Sequence, residues 1–198
     1  MENTGIILLA AGNSTRMGSA KQLLLYQDKT LLERTIDTAL EVFDTNQIIL
    51  VLGAHHDDIA FSIRNKDIPT IVNKEWDSGM ASSITSGLIT LSARYPEMEK
   101  CFISVCDQPY LTSQVFLEMF QLYKTSGRGI VTAKYADTLG VPALFSKNYF
   151  EELMTITGEQ GAKKIIQQHR EDAETFGFED GAIDIDTPSD YDNLKNKK

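Results

Sequence analysis

The sequence predicts an α/β protein with three layers, α/β/α, built around a mainly parallel, twisted sheet. Strand-like and helix-like segments alternate along most of the 198 residues, which indicates parallel strands joined by helical crossovers. The strand-like runs are short and continuously apolar, as expected for strands buried on both faces. No internal repeat or linker-like tract divides the chain, so we expect a single domain over residues 1–198.

The elements can be assigned in order from the N-terminus. TGIILLAA (4–11) is a strand that ends at Gly12. TLLERTIDTALEVF (30–43) places its apolar residues on one helix face, and Thr30 followed by Glu33 forms a capping box. The next elements are strand 47–53, helix 56–65, strand 69–73, helix 80–95, strand 100–106, helix 111–127 and strands 129–135 and 140–146. Two short helices and an acidic C-terminal region follow them.

Composition and charge exclude several classes of protein. The net charge of −9 argues against a nucleic-acid surface, which needs arrays of Lys and Arg. Cys101 and Cys106 lie in one apolar run and would face opposite sides of a strand, so we expect two buried thiols rather than a disulfide. With no signal pattern and no apolar run near the ~20 residues of a membrane span, we expect a cytoplasmic protein that does not contact membranes.

The loop after the first strand, LLAAGNSTRMGSAKQLL (8–24), has the parts of a phosphate-binding loop. The small residues 10–12 would let a flat base or a ribose approach the backbone. Arg16 and Lys21 offer donors for phosphate oxygens. The spacing matches neither the dinucleotide fingerprint nor the Walker A loop. Composition alone therefore leaves two interpretations open, a phosphate-binding loop or a strand-turn link with solvated cations.

Two acidic segments are candidates for metal binding. Asp107 follows an apolar strand at the carboxyl edge of the sheet, where it is either a ligand for a hard cation or part of a turn. In DIDTP, Asp184 and Asp186 would face the same side of a strand and would repel each other without a cation or donors between them. The alternative is a helix that starts here, with Thr187 as N-cap and Pro188 at the first helical position.

The chain resembles a known family. The 8–24 loop is similar to the signature L-A-A/G-G-x-S-x-R-M/F-G-x-x-K of the MobA-like nucleotidyltransferases, and most similar to their molybdenum cofactor cytidylyltransferase branch. The further segments that resemble this branch, in its order and spacing, are NKEWDSGMASSITSG (73–87), VCDQPYLT (105–112), GVPALF (140–145), TGEQGAKKII (157–166) and IDIDTPSDYDNL (183–194). Together they cover essentially the whole chain.

The resemblance implies a fold and a reaction. The fold is the Rossmann-like, glycosyltransferase-A-like nucleotidyltransferase fold. The reaction transfers a nucleoside monophosphate to the phosphate of molybdopterin and releases pyrophosphate. CTP is favoured over GTP because LLAAG has an alanine where guanylyl-transferring relatives read LAGG, which shrinks the space for the base. The implied partners are the nucleoside triphosphate, the molybdopterin-type acceptor, and a xanthine-oxidase-family molybdoenzyme or its maturation chaperone.

The resemblance also implies roles for individual residues. Its catalytic residues are Lys21, Arg16 and Asp107, and its ligands for Mg²⁺ or Mn²⁺ are Asp107 and Asp186. Its nucleotide-binding residues are Ala10, Ala11, Gly12, Arg16, Lys21, Asn73, Gly79 and Ser82. Its acceptor-binding residues are Gly140, Pro142, Gly158 and Gly161. The acceptor segment departs from the common pattern, which has Asp where Glu159 stands and often Arg where Lys163 stands, and Lys does not make the bidentate contact of Arg.

Two other functions stay open. One is transfer to a polyol phosphate or sugar phosphate. The other is a non-catalytic carrier that binds nucleotide and cofactor for a molybdoenzyme. Hydrolase and redox functions lack support because there is no Ser–His–Asp elbow and no CxxC pair. A zinc site at the adjacent His55 and His56 is disfavoured because their side chains diverge, and Trp76 either stacks on a ligand or covers the sheet edge.

Overall fold

A computed structural model describes residues 1–159 and 161–196. Its strands are β1 Thr4–Ala10, β2 Leu25–Tyr26, β3 Lys29–Thr30, β4 Ile48–Leu52, β5 Thr70–Val72, β6 Lys100–Val105, β7 Ile130–Tyr135, β8 Thr138–Ser146 and β9 Ala173–Gly177. Its α-helices are α1 Leu31–Leu40, α2 His56–Ser62, α3 Met80–Arg94, α4 Ser113–Ser126, α5 Phe150–Thr155, α6 Ala162–Gln168 and α7 Pro188–Asn196. No helix in this part of the chain is long and apolar enough to span a bilayer.

The central sheet has seven strands in the order β5-β4-β1-β6-β8-β7-β9. β5, β4, β1 and β6 are parallel, β8 runs antiparallel to both of its neighbours, and β9 pairs parallel with β7. The mainly parallel α/β sheet is confirmed. Three short strands were not expected from the sequence, namely β9 and the β2–β3 hairpin, which connects the 8–24 loop to α1.

Helices cover both faces of the sheet, which explains the continuously apolar strands. In β1, Ile6 and Leu8 pack into one core with α1, α2 and α4, whereas Ile7 and Leu9 pack into a second core with α3, α5 and α6. Each face therefore buries alternate residues of the same strand. The three-layer arrangement is confirmed.

Two further expectations about local structure are confirmed. The Thr30 hydroxyl accepts a hydrogen bond from the Glu33 amide at 3.1 Å, and the Glu33 carboxylate accepts one from the Thr30 amide at 2.8 Å, so the capping box starts α1 as predicted. Cys101 and Cys106 are free, buried thiols in opposite cores. β1 and β6 pair side by side between the two cores, so the loops at their carboxyl ends leave from the buried centre of the sheet.

Candidate functional site

A cavity of about 350 Å³ lies at the carboxyl ends of β1 and β6. This is the edge at which ligands bind in open α/β sheets. The predicted site residues that line it are Ala10, Ala11, Gly12, Lys21, Gly79 and Asp107. Its wall also contains residues that the sequence did not single out for binding, among them Gln22, Ser83 and Met80.

The loop after β1 is held by hydrogen bonds to its carbonyl groups. The buried Gln22 side chain donates through Nε2 to the Ala10 carbonyl at 3.1 Å and to the Gly12 carbonyl at 3.0 Å. From the other side, the Ala54 amide donates to the Ala11 carbonyl at 3.0 Å. Gln22 therefore positions the cavity floor. The sequence did not reveal this positioning role of Gln22. Its only indication was a single amide side chain between Lys21 and the next apolar run.

Four predicted charged groups meet beside this floor, although they come from the beginning, the middle and the end of the chain. The Lys21 ammonium lies 2.5 Å from Asp107 Oδ2 and 2.7 Å from Asp186 Oδ1. The Arg16 guanidinium contacts the other oxygen of Asp186, Oδ2, at 2.5 Å, and the Arg16 side chain is 70% exposed. Lys21 and Asp107 line the cavity, whereas Arg16 and Asp186 lie outside its lining.

The charges at the site shift one another's protonation. Burial would lower the pKa of Lys21, but Asp107 and Asp186 outweigh burial and hold that pKa above its ordinary value. Burial would raise the pKa of Asp186, but Lys21 and Arg16 hold it below the ordinary range. Burial, followed by the charges of Asp107 and Asp186, raises the pKa of the nearby Asp184. At neutral pH the site therefore contains a fully charged lysine between carboxylates.

The segment that carries Asp184 and Asp186 is not a strand, so the prediction of two carboxylates on one strand face is wrong. Residues 183–187 form no regular element. The Ile185 amide donates to the Asp107 carbonyl at 3.1 Å, and the buried Ile185 side chain packs with Leu31 and Leu194 in a small separate core. This anchoring brings Asp186 to Asp107.

The helix alternative for this segment is confirmed. α7 begins at Pro188, and the Thr187 hydroxyl accepts from the Asp190 amide at 3.3 Å. The Asp190 carboxylate in turn accepts from the Thr187 amide at 2.8 Å and from the Asp186 amide at 3.3 Å. The side chain of Asp190 therefore holds the backbone of a candidate metal ligand.

Replacing Asp190 with Asn tests this anchor through pH. Hydrogen bonds from Thr187 hold the pKa of Asp190 below 3.8, so its stabilisation is complete above that pH and is lost as the pH falls through the lower, folded-state value. We expect Asp190→Asn to reduce the free energy of unfolding by about 1 kcal/mol at neutral pH, and by less near pH 3. Chemical denaturation at both pH values measures the difference. The control Asp192→Asn, in the same helix, removes an exposed carboxylate that pairs with Lys195, and it should lower the free energy of unfolding at neutral pH by less than Asp190→Asn does.

The donors at the site fit a divalent cation. Asp107 Oδ2 and Asp186 Oδ1 converge on the single point that the Lys21 ammonium occupies, and carboxylate oxygens are the donors that Mg²⁺ and Mn²⁺ prefer. Within residues 1–159 and 161–196, no group of three or more His, Cys, Asp or Glu side chains could hold a metal. A pair of carboxylates still suits Mg²⁺, which completes its shell with phosphate oxygens and water. The metal role of this pair remains a prediction.

In the predicted nucleotide-binding segment after β5, some residues hold the local structure together and others line the cavity. Asn73 is buried and donates to the hydroxyls of Ser82 at 2.8 Å and Ser83 at 3.0 Å, while its carbonyl accepts from the Glu75 amide at 3.0 Å. Asn73 therefore joins the end of β5 to the start of α3. Neither Asn73 nor Ser82 lines the cavity, whereas Ser83 does.

The predicted acceptor residues lie outside the cavity lining, but one of their segments reaches it. A Cβ atom on Gly79 would lie 2.7 Å from the Gly158 backbone, so the two loops touch, and Glu159 next to Gly158 lines the cavity. Gly161 is the N-cap of α6, and a Cβ atom on it would lie 3.0 Å from Met80 Sδ. The acceptor segment and the nucleotide segment thus share one wall.

The second acceptor segment packs against the Asp107 loop. A Cβ atom on Gly140 would lie 2.5 Å from the Tyr135 hydroxyl, and the carbonyl before Pro142 accepts from Gln108 Nε2 at 3.0 Å. Gln108 also donates to the Gly181 carbonyl at 3.1 Å. Gln108 therefore ties β8 and the C-terminal segment to the end of β6, another positioning role that the sequence did not reveal.

Cations that neutralise phosphate charge and carboxylates that hold a metal are the groups that nucleotidyl transfer needs. Here both kinds meet beside a glycine-containing loop at the carboxyl edge of an α/β sheet. The fold is that of a nucleotidyltransferase, and the site contains the kinds of group that this reaction needs. Residues 6–173 match the MobA-like NTP transferase domain, and the chain belongs to this family, which confirms the resemblance seen in the sequence.

Individual proteins are similar over nearly the whole chain. The molybdenum cofactor cytidylyltransferase of Escherichia coli (strain K12) is 26% identical over 195 residues, 96% of this chain and 95% of that protein. The nicotine blue oxidoreductase of Paenarthrobacter nicotinovorans is 27% identical over 172 residues, 82% of this chain and 80% of that protein. The crystal structure of Rv0371c from Mycobacterium tuberculosis H37Rv has a TM-score of 0.84 at 28% identity and covers 98% of this chain and 97% of its own.

Gly53 supports two residues of the cavity wall from behind. A Cβ atom there would lie 2.6 Å from both the Ala11 carbonyl oxygen and Trp76 Cβ. We expect Gly53→Ala to displace both residues and to raise the KM for the nucleoside triphosphate about fivefold or more, with a smaller change in kcat. Initial-rate kinetics measure the split. Gly177→Ala, where a Cβ meets nothing within 4 Å, is the control, and equal KM values for the two variants would contradict this role.

Proposed function

We propose that this nucleotidyltransferase transfers CMP from CTP to the phosphate of a molybdopterin-type acceptor and releases pyrophosphate. The observation that carries the proposal is the meeting of Lys21, Asp107 and Asp186 beside the 10–12 loop. The similarity to a molybdenum cofactor cytidylyltransferase over 96% of the chain supports the choice of substrates. A cytoplasmic location and delivery to a xanthine-oxidase-family molybdoenzyme, or to its maturation chaperone, belong to the same proposal.

In this reaction the chain contributes positioning and charge rather than a covalent intermediate. The base lies against residues 10–12, and Lys21 and Arg16 bind the β- and γ-phosphates. An oxygen of the acceptor phosphate attacks the α-phosphorus as the bond to the bridging oxygen breaks, and pyrophosphate leaves with that electron pair. Mg²⁺ or Mn²⁺ held by Asp107 and Asp186 would neutralise phosphate charge.

The buried thiol beside the site is not a nucleophile for this reaction. Cys106 lines the cavity next to Asp107. Burial, together with the charge of Asp107, raises the pKa of Cys106 to about 12, so the group is a neutral thiol at physiological pH. Direct attack by the acceptor phosphate is therefore the reaction that these groups favour.

The choice of CTP over GTP rests on Ala11. This residue is buried in the cavity wall, with its carbonyl held by Ala54. The resemblance to the family implies that alanine at this position leaves less space for a purine base than the glycine of guanylyl-transferring relatives. The smaller cytosine is therefore the base that we expect.

Pyrophosphate release tests the reaction. The purified protein is incubated with Mg²⁺, molybdenum-loaded molybdopterin and either CTP or GTP. We expect release with CTP and much less with GTP, and release with GTP alone would overturn the base assignment. Lys66→Ala, which removes a lysine paired with Asp37 away from the cavity, serves as an active control.

The remaining outcomes of this test distinguish the alternatives. The similar nicotine blue oxidoreductase is named for a different class of reaction. The activity of this chain must therefore be measured directly. Binding of nucleotide and molybdopterin without pyrophosphate release would favour a carrier. Failure to bind molybdopterin, with release on polyol or sugar phosphates, would identify another acceptor.

A further inference from the structure

In the structure, a lysine ammonium occupies the point on which the two predicted metal ligands converge. The Lys21 ammonium lies 2.5 Å from Asp107 Oδ2 and 2.7 Å from Asp186 Oδ1. The side chains of Lys21 and Asp107 are each 16% exposed, so this ion pair is largely shielded from water. In such surroundings an ammonium group and a carboxylate pair attract each other more strongly than at the surface.

Nucleotidyl transfer requires two different partners for these groups. The phosphates need Lys21, and the divalent cation needs both carboxylates. An ammonium group and a divalent cation repel each other strongly at the short separation that shared carboxylate oxygens would impose. Lys21 must therefore leave Asp107 and Asp186 before a metal ion binds there.

The two oxygens of Asp186 allow this exchange. Oδ1 faces Lys21, whereas Oδ2 is held separately by Arg16. The Ile185 amide also fixes this segment to the Asp107 carbonyl at 3.1 Å. The backbone hydrogen bonds of Ile185 and Asp186 keep this segment in position even when Arg16 also turns to the phosphates. If the Lys21 ammonium swings away, Oδ1 therefore becomes available next to Asp107.

We propose that Lys21 is the resident cation of the free enzyme and excludes divalent metal from Asp107 and Asp186 until a nucleoside triphosphate draws its ammonium away. This inference rests on the proposed function and adds an order of binding to it. The metal enters with the triphosphate, because the phosphates both remove Lys21 and supply further oxygen ligands. Without nucleotide the carboxylate pair is a poor metal site.

Binding of Mn²⁺ in the absence of nucleotide tests the proposal. The free Mn²⁺ signal in electron paramagnetic resonance is titrated with the full chain of the wild type, Lys21→Met and Lys66→Met. We expect Lys21→Met to bind Mn²⁺ at least about fivefold more tightly than the wild type, because an unpaired carboxylate pair attracts cations. Lys66→Met removes the same charge from another acidic partner, Asp37, and should match the wild type.

The opposite result is equally clear. A gain of less than about fivefold for Lys21→Met, or an equal gain for Lys66→Met, would overturn the proposal. If Lys21→Met does not fold, Lys21→Gln replaces it with the same loss of charge. Pyrophosphate release by the wild type is measured separately, so an active enzyme with unchanged Mn²⁺ affinity in the variants would contradict only the resident-cation role.

Discussion

Lys21→Ala is expected to lower the turnover of the enzyme by about 10²-fold or more, the largest effect that we foresee for a single substitution. The ammonium group reaches the cavity beside Asp107, and the proposed reaction needs its charge on the triphosphate as pyrophosphate departs. The change also leaves Asp107 and Asp186 without their counter-charge. Pyrophosphate release at saturating nucleotide, together with a thermal unfolding curve, measures both effects.

The control for this experiment is Lys66→Ala, which removes a lysine that pairs with Asp37 of α1. It should retain most of the wild-type turnover. If Lys21→Ala is folded and turns over at a rate near that of Lys66→Ala, Lys21 has no part in the chemistry, and the assignment of the 8–24 loop as a phosphate site is wrong.

Asp107→Asn is expected to have an effect of similar size, about 10²-fold or more on turnover. The substitution keeps the shape of the side chain but removes the charge that faces Lys21 Nζ at 2.5 Å and that would help to hold the metal. The rate is measured over a wide range of Mn²⁺ concentrations. We expect more Mn²⁺ to restore only part of it, since one ligand of the pair has become neutral.

Asp57→Asn gives the baseline for this series because its carboxylate is 96% exposed at the start of α2. Wild-type turnover in Asp57→Asn is the expected result. Near-normal turnover in Asp107→Asn as well would remove Asp107 from the mechanism, and the carboxylate pair would then have to be explained as a structural feature.

The part of the fold that follows from local patterns could be predicted from the sequence. The apolar run of β1 and the helical spacing of α1 each reflect burial within a few residues of chain. β9 was missed because AETFG at an edge of the sheet is only half-buried and carries no apolar run. The antiparallel direction of β8 against β7 follows from the two-residue link between them, which is too short for a parallel crossover, whereas the place of β8 beside β6 has no such local signal.

The candidate site was predictable as a set of residues but not as an arrangement. Lys21 and Asp186 were identified separately, yet their pairing across 165 residues has no trace in the spacing of either motif. Asn73 looked like a binding residue because an amide side chain serves equally well to hold a ligand or to join two loops. Gln22 and Gly53 were missed because each acts on the backbone of a residue that is close to it in space. Such a role can be recognised only in the folded structure.

The second carboxylate of the site belongs to a segment outside the central sheet. Residues 183–196 are held by the small core of Ile185, Leu31 and Leu194, by a few hydrogen bonds and by the ion pairs of Asp186, whereas the strands lie between two large cores. Segments with so few apolar contacts open by local unfolding at a free-energy cost below that of the whole domain. On heating, activity should therefore decline before the circular dichroism signal of the sheet, and amide hydrogens of this segment should exchange before those of β1 and β6. Detachment of this single helix is then the weak point that limits the working temperature of the enzyme.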